Sequence, residues 1–390
     1  MSDDRLGYFP CHSCGTPVKV INAPALDVLV ASDCQSVKGQ VQVGSCPSCG
    51  LIQKHTSASW AKLCDEIYRA YRIYHQASGQ EQKARGGDES QFAPRSQLIA
   101  DYLRKTGFLA ERGSLIDVGC GNGAFLGAMR GRFPEWTVTG TDLNENYRKD
   151  ILALGPNAAF LSGNELATNS DRFNLLVLIH CLEHIPAPAA YLANSKRHLS
   201  KGSLLLVEVP DAELNPFDFV IADHASHFSK ASLQAVVESA GYEVVTCGNL
   251  VLGKEITLIA RPVAGKAAAN IQPSAARAEQ TTRNSLAWLN EVTASARRIA
   301  ALNRPFGVFG TSIAGSWIGQ ALDRIDFYVD EDESRTGRNY LGAPVVVPSE
   351  IPTGATVFVC LEPRLAVAIA QRLAAPGRKF LTPPATAAIA

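Results

Sequence analysis

Between residues 106 and 262 the chain repeats one pattern. A run of apolar residues is followed by a stretch in which apolar positions recur at helical spacing. The runs are Ser114-Leu115-Ile116-Asp117-Val118, Thr137-Val138-Thr139-Gly140, Asn174-Leu175-Leu176-Val177-Leu178-Ile179 and Ser203-Leu204-Leu205-Leu206-Val207-Glu208-Val209. Strands separated by helices predict βαβ units in a largely parallel sheet. The pattern returns over residues 305–382, with Phe306-Gly307-Val308-Phe309, Phe327-Tyr328-Val329 and Thr356-Val357-Phe358-Val359 as strands. Ahead of both blocks, residues 1–60 hold short β-like runs (Leu26 to Val30, Val41 to Val43), and residues 61–105 hold aromatic-rich helical patterns. The Ala-rich stretch Ala264 to Ala278, with Pro262 before it and Pro273 inside it, reads as a linker. A polar-faced helix is predicted from Gln280 to Asn303, and the tail Pro383 to Ala390 carries no packing pattern and is expected to fray. No repeat of fixed period is present.

Length adds a domain count. At about 150 residues per domain, 390 residues suit two to three domains. The boundaries expected are 1–60, 61–262, a linker and helix over 263–304, and 305–390. With 46% hydrophobic and 19% charged residues the chain is globular rather than disordered. Lys plus Arg is 37 and Asp plus Glu is 37, so no bulk positive field exists to hold a nucleic-acid backbone. No apolar run approaches the roughly 20 residues of a membrane span, and the polar start Met1-Ser2-Asp3-Asp4-Arg5 leads into no apolar signal segment. The expectation is a cytoplasmic protein with neither nucleic-acid nor membrane partners, in which ten cysteines are reduced thiols or metal ligands. Oligomeric state is not legible.

Four of those cysteines are patterned. Cys11-His12-Ser13-Cys14 and Cys46-Pro47-Ser48-Cys49 are two Cys-x-x-Cys knuckles, each followed by a glycine, Gly15 and Gly50. The spacing lets both thiolates of a knuckle face one ion, and two knuckles complete a tetrahedral zinc ribbon. Four thiolates leave no open position, so the expected Zn2+ is structural. His12 would be a surplus ligand. Cys34, Cys64, Cys120, Cys181, Cys247 and Cys360 lack such spacing and read as packing residues.

The first predicted strand of the middle block runs into Asp117-Val118-Gly119-Cys120-Gly121-Asn122-Gly123, with a helix expected from Ala124. Glycines let the backbone approach a ligand at the carboxyl end of that strand. Their alternate spacing differs from the Gly-x-Gly-x-x-Gly of dinucleotide sites. After the next strand comes Gly140-Thr141-Asp142, a carboxylate placed to accept hydrogen bonds from ribose hydroxyls. Together these pieces resemble class I S-adenosylmethionine-dependent methyltransferases over roughly residues 95–250. The resemblance implies that Asp117, Gly119, Gly121 and Gly123 face the methionine part and ribose, that Asp142 binds the ribose, and that Ser162, Gly163 and above all Asn164 lie on the adenine side.

His180-Cys181-Leu182-Glu183-His184 matches the letters His-x-x-Glu-His of a zinc-peptidase motif, which needs its histidines one turn apart on a helix. Here the letters continue an apolar strand. In methyltransferases the end of strand four commonly reads this way and lines the cofactor and substrate cleft, which implies a place there for His180 or Glu183, His180 beside the cofactor; simple hydrogen bonding at the strand end is the alternative.

Val207-Glu208-Val209-Pro210-Asp211 and the segment Phe217 to Ser229 narrow the likeness. With the cysteine knuckles and the last α/β block, they resemble the zinc-containing nucleotide-sugar C-methyltransferases of deoxysugar pathways. That resemblance implies His224 as the base, Asp223 as the adjacent acid and Tyr74 in the substrate pocket. The family's tyrosine two residues before the acid is replaced by Ile221, with Ala222 next. In the last block, Gly310 and Asp330 keep the outline of a domain that closes over the nucleotide-sugar cleft. The whole chain is thus expected to be α/β: an N-terminal four-cysteine zinc module, a central Rossmann-like methyltransferase domain and a C-terminal Rossmann-like α/β domain. The implied reaction is methyl transfer to a nucleotide-linked ketosugar, by C-methylation after deprotonation at His224. O-methylation of a sugar or other small metabolite, and a non-catalytic zinc-ribbon binding protein, stand as alternatives.

Overall fold

The computed structural model describes residues 7–73, 79–81, 83–85, 92–264 and 273–385. Tyr74 lies outside them, as do residues 386–390 of the tail.

The middle block is a seven-stranded sheet. Its strands are β1 (Gly113–Val118), β2 (Trp136–Thr141), β3 (Ala158–Leu161), β4 (Phe173–Ile179), β5 (Leu199–Pro210), β6 (Tyr242–Gly248) and β7 (Glu255–Pro262), in the order β3-β2-β1-β4-β5-β7-β6. The first five run parallel, and β7 lies antiparallel between β5 and β6. The apolar runs fall here because both faces are covered. In β1, β4 and β5, Ile116, Leu176, Leu178, Leu205 and Val207 enter one core, and Leu115, Val177, Leu204 and Leu206 enter another. Chain order reverses at β1, so β2 and β4 flank its carboxyl end and open a crevice there.

The N-terminal segment is stitched to this unit. Strands Val43–Ser45 and Ile52–Lys54 pair antiparallel, and Ile52–Lys54 also pairs with Ser226–His227, setting Gln53 opposite Ser226. Helix α1 (Ala58–Ala70) follows, capped by the Ser57 side chain, which accepts the Trp60 N–H. Helix α2 (Arg95–Thr106) ends where Gly107 turns left-handed.

Residues 306–381 form a six-stranded sheet, parallel except for the two-residue strand Asn339–Tyr340. It shares one continuous core with Leu29 and Val30, with Phe217, Phe219 and Val220, and with Trp288 and Leu289 of the helix Ala275–Leu302. The Trp317 indole donates to the Val28 carbonyl at 3.1 Å and the Tyr340 hydroxyl to that of Cys34 at 2.9 Å. The long helix starts five residues before the predicted Gln280. Ser274 accepts the Arg277 N–H, and the alanines read as linker are good helix formers once capped. Among the described residues no helix is long and apolar enough to cross a membrane.

Candidate functional site

At the carboxyl end of β1 the chain needs three left-handed residues, and Gly119, Gly121 and Gly123 supply them with φ of 74°, 49° and 79°. A Cβ at Gly119 would lie 3.0 Å from Cys181 Sγ, and one at Gly121 would lie 2.5 Å from Ile73 Cδ1, so a side chain would strain the backbone and also have to displace a neighbour. Asp142 grips this turn from the end of β2. One carboxylate oxygen accepts the Gly121 N–H at 2.9 Å and the other accepts the Asn144 N–H at 2.8 Å. Each oxygen keeps a second lone pair for a hydroxyl.

Asp117 is 3% exposed. Burial, and then the nearby Asp142 charge, hold its carboxyl well above the usual carboxylate range. Burial also raises Asp142, against the backbone N–H groups that favour its charge. Leu143, next to Asp142, is 83% exposed, an apolar side chain the sequence reading did not single out. Register sets Leu161 beside Thr141, so the turn Ser162–Asn164 neighbours that of Asp142. Asn164 is exposed in the first turn of Gly163–Thr168, a helix boxed by Ser162 and Glu165.

The letters His-Cys-Leu-Glu-His form no zinc-peptidase helix. His180 leaves β4 at φ 49°, and Leu182–His184 is a single 3-10 turn. The two histidines diverge. His180 Nε2 meets Glu255 at 2.9 Å and Nδ1 meets Glu183 at 3.2 Å, while Arg95 holds the other Glu255 oxygen at 3.0 Å. Burial and Arg95 oppose the charged imidazole, but the two glutamates prevail and push it up to about 9. Glu208 is wholly buried on β5, and burial, then the charge of Glu255, pushes it up to about 8.

A second group of imidazoles is built around residues 216–228. The 3-10 helix Pro216–Val220 carries Asp218 into the interior, where its two oxygens meet His224 Nδ1 at 2.6 Å and His227 Nδ1 at 2.5 Å. Burial disfavours the charged carboxylate, yet the two histidines hold it below the usual range. An ionised carboxylate only accepts, so both Nδ1 atoms donate and Nε2 of neutral His224 is left as the basic atom. Burial lowers His227 to about 4 despite Asp218, and its ring stacks on Phe219 at 4.8 Å.

The acid beside His224 is therefore Asp218 and not the sequence-adjacent Asp223. Ala222 and Asp223 form a turn whose His224 N–H reaches back to the Ile221 carbonyl, and the Asp223 carboxylate leaves that turn toward Ser32. It accepts the Ser32 N–H at 2.9 Å and hydroxyl at 2.7 Å, and lies 3.3 Å from His184 Nδ1. Against burial, Asp223 raises the pKa of His184. The Tyr68 hydroxyl also reaches His184 Nδ1, at 3.2 Å, and the His184 and His224 rings meet edge to face at 4.6 Å. Two Asp–His pairs thus abut where one was expected. No local motif marks Asp218, six residues from His224. Cys181 stands where a Cβ on Gly119 would meet it, and the turn that follows carries His184 to the His224 ring, so this group neighbours the glycine turn.

The four patterned cysteines converge. Their sulfurs all lie within 4.8 Å of one another, with Cys11–Cys49 and Cys14–Cys46 at 3.5 Å. Sulfurs at about 2.3 Å around a tetrahedral zinc stand about 3.8 Å apart, close to this arrangement. Each knuckle turns back through its glycine, Gly15 N–H to Cys11 O and Gly50 N–H to Cys46 O, both at 3.0 Å. The Ser13 and Ser48 N–H groups point at Cys11 and Cys46 sulfur at 3.4 Å, as suits thiolates. His12 turns away to Thr56 at 3.2 Å.

This sheet and its glycine turn define a Rossmann-like α/β domain with a ligand crevice at β1. The profile of the Methyltransferase domain family matches residues 92–247, and the central unit is accordingly a class I S-adenosylmethionine-dependent methyltransferase domain. The trans-aconitate 2-methyltransferase of Deinococcus radiodurans is 32% identical over 114 residues, 29% of this chain and 40% of that protein. The chain thus aligns with well under half the length of that relative. Among solved structures, an O-methyltransferase family protein from Burkholderia thailandensis matches with a TM-score of 0.38 and 21% identity, covering 44% of this chain and 57% of that one. An O-methyltransferase family 2 protein from Planctomyces limnophilus matches with a TM-score of 0.34 and 14% identity, covering 43% and 62%.

Proposed function

We propose that this protein is an enzyme that moves the methyl group of S-adenosylmethionine to a small-molecule acceptor whose proton is taken by His224 Nε2. The cofactor, when bound, supplies a sulfonium methyl open to in-line displacement. The glycine turn and Asp142 seat it, Asp218 fixes the tautomer of His224, and His184 with Tyr68 lines the way between the two. The observation that carries this reading is the Asp218–His224 pair at 2.6 Å, set within ring contact of the turn that follows β4.

For the acceptor we take a nucleotide-linked ketosugar, methylated at carbon after loss of the proton α to the carbonyl. The family resemblance supports it through the order of its segments. O-methylation is the second reading, and Ile221 favours it. This residue is 6% exposed and offers no phenol to orient a keto oxygen. The four thiolates are proposed to hold a structural Zn2+, and residues 305–390 to act as a Rossmann-like domain facing the acceptor.

Mass spectrometry of products from labelled cofactor and a panel of nucleotide-linked sugars tests the reaction. A ketosugar substrate incubated in D2O without cofactor should take up deuterium at its α-carbon if carbon is methylated, and none if oxygen is. No binding of S-adenosylhomocysteine at millimolar concentration would leave a zinc-ribbon binding protein instead.

The buried carboxyls beside the cofactor predict a pH dependence. Asp117 has its pKa raised in the free protein, so it holds a proton to higher pH than an ordinary aspartate. A cationic ligand nearby favours the charged form, so binding expels that proton. Affinity for S-adenosylmethionine should therefore climb with pH up to the free-protein pKa of Asp117 and level off above it. Calorimetry in buffers of different ionisation enthalpy reads the released proton directly, and a flat profile with no proton release would contradict the placement.

A further inference from the structure

Lys54 ties the four-cysteine module to the segment that carries His224. It is wholly buried at the end of the strand Ile52–Lys54. On one side this strand pairs with Val43–Ser45, which runs straight into Cys46, and on the other with Ser226–His227. The Lys54 N–H donates to the Ala225 carbonyl at 2.9 Å. Its ammonium donates to the Ile221 carbonyl and, at 3.2 Å, to that of His224. One residue earlier, the Gln53 side-chain oxygen accepts the N–H of His12, inside the first knuckle, at 2.7 Å.

A buried ammonium is costly unless charge and acceptors surround it. Here the acceptors are backbone carbonyls on either side of Ala222 and Asp223, and the compensating charges are those of Asp218 and Asp223. These carbonyls belong to an irregular stretch between the 3-10 helix ending at Val220 and the strand at Ser226, whose one β-bridge joins Ile221 to Val30. Their donor comes from a strand that meets the second knuckle at the hairpin turn and the first knuckle through Gln53.

We propose that Lys54 is a positioning residue through which the metal-bound four-cysteine module holds the His224 segment in register with Asp218. The proposal rests on the reading of His224 as base and of the four thiolates as a zinc site. An ion cross-links residues 11–14 to 46–49 and so stiffens the hairpin whose far end is Lys54. Without it the hairpin frays, the carbonyls of Ile221 and His224 lose their donor, and the imidazole drifts from its carboxylate. The central sheet, with its own cores, keeps the cofactor turn intact.

Three samples of the full-length protein test this: the zinc-loaded wild type, the wild type stripped by a chelator, and zinc-loaded Lys54→Met. The readouts are hydrogen exchange of the 221–228 amides, S-adenosylhomocysteine affinity, zinc content and the split between kcat and KM. Both altered samples should exchange at 221–228 about tenfold faster or more, with amides of β1 to β5 unchanged. S-adenosylhomocysteine affinity should stay within about threefold, kcat should fall, and KM for S-adenosylmethionine should hold. Unchanged exchange at 221–228 in the stripped protein overturns the proposal even where K54M does not fold. So does acceleration spread evenly through the central sheet, or the absence of zinc from the isolated protein. If 221–228 loosens as expected while the loaded wild type methylates nothing, the positioning stands and the reading of His224 as a base falls.

Discussion

Replacing His224 with asparagine should lower kcat by roughly 10²- to 10⁴-fold, the range by which a positioned general base accelerates proton transfer. Affinity for S-adenosylhomocysteine should not change, because the glycine turn and Asp142 are built from other elements. His224 is only 3% exposed, and Asp218 occupies its Nδ1, so reactivity is confined to one nitrogen. Asp218→Asn should reproduce much of the loss. Its amide NH2 would face an Nδ1 that now carries the proton, and the tautomer would tend to reverse, protonating Nε2. Steady-state kinetics beside calorimetric titration separate the two effects. Activity of H224N within about tenfold of wild type would move the base to His184, whose Asp223 partner and greater exposure make it the next group in the cleft.

The second large effect concerns the cofactor. Asp142→Ala should weaken both S-adenosylmethionine and S-adenosylhomocysteine by about 10- to 100-fold, since hydrogen bonds to a charged group are worth roughly 1.5–3 kcal/mol. Two losses combine: the ribose hydroxyls lose their acceptor, and the Gly121 N–H loses the carboxylate that holds the turn at 2.9 Å. Titration calorimetry measures both ligands. Equal affinity in D142A and wild type would place the ribose away from β2.

Much of this site is legible in the sequence. The alternate glycines mark themselves, because backbone at left-handed φ admits few other residues, and all three adopt it. The cysteine knuckles mark themselves too, since the Cys-x-x-Cys spacing brings two sulfurs of one turn together whatever the rest of the chain does, and the four sulfurs do converge. Lys54 was invisible for the opposite reason. Nothing about a lysine in a polar stretch announces that strand pairing will carry it, wholly buried, against carbonyls 167 and 170 positions away. The family resemblance implies Asp223 as the acid beside His224, and the fold supplies Asp218 instead. A 3-10 turn at Pro216–Val220 instead brings in Asp218, while Asp223 is drawn to Ser32, 191 positions distant. Tyr74 lies outside the described residues, so its expected place in the pocket stands as a proposal.

The sequence by itself determined the parallel α/β sheet, the glycine turn after its first strand and the four-sulfur cluster. Each depends on local backbone freedom, on spacing of a few residues, or on burial of an apolar run, and those are written along the chain. Tertiary structure alone decided which carboxylate serves which imidazole, which atom of His224 is left free, and that the N-terminal hairpin pairs with the segment holding it. Those outcomes depend on how buried charges find partners across long separations. Any of several acids could have met that need, and only the packed chain selects among them.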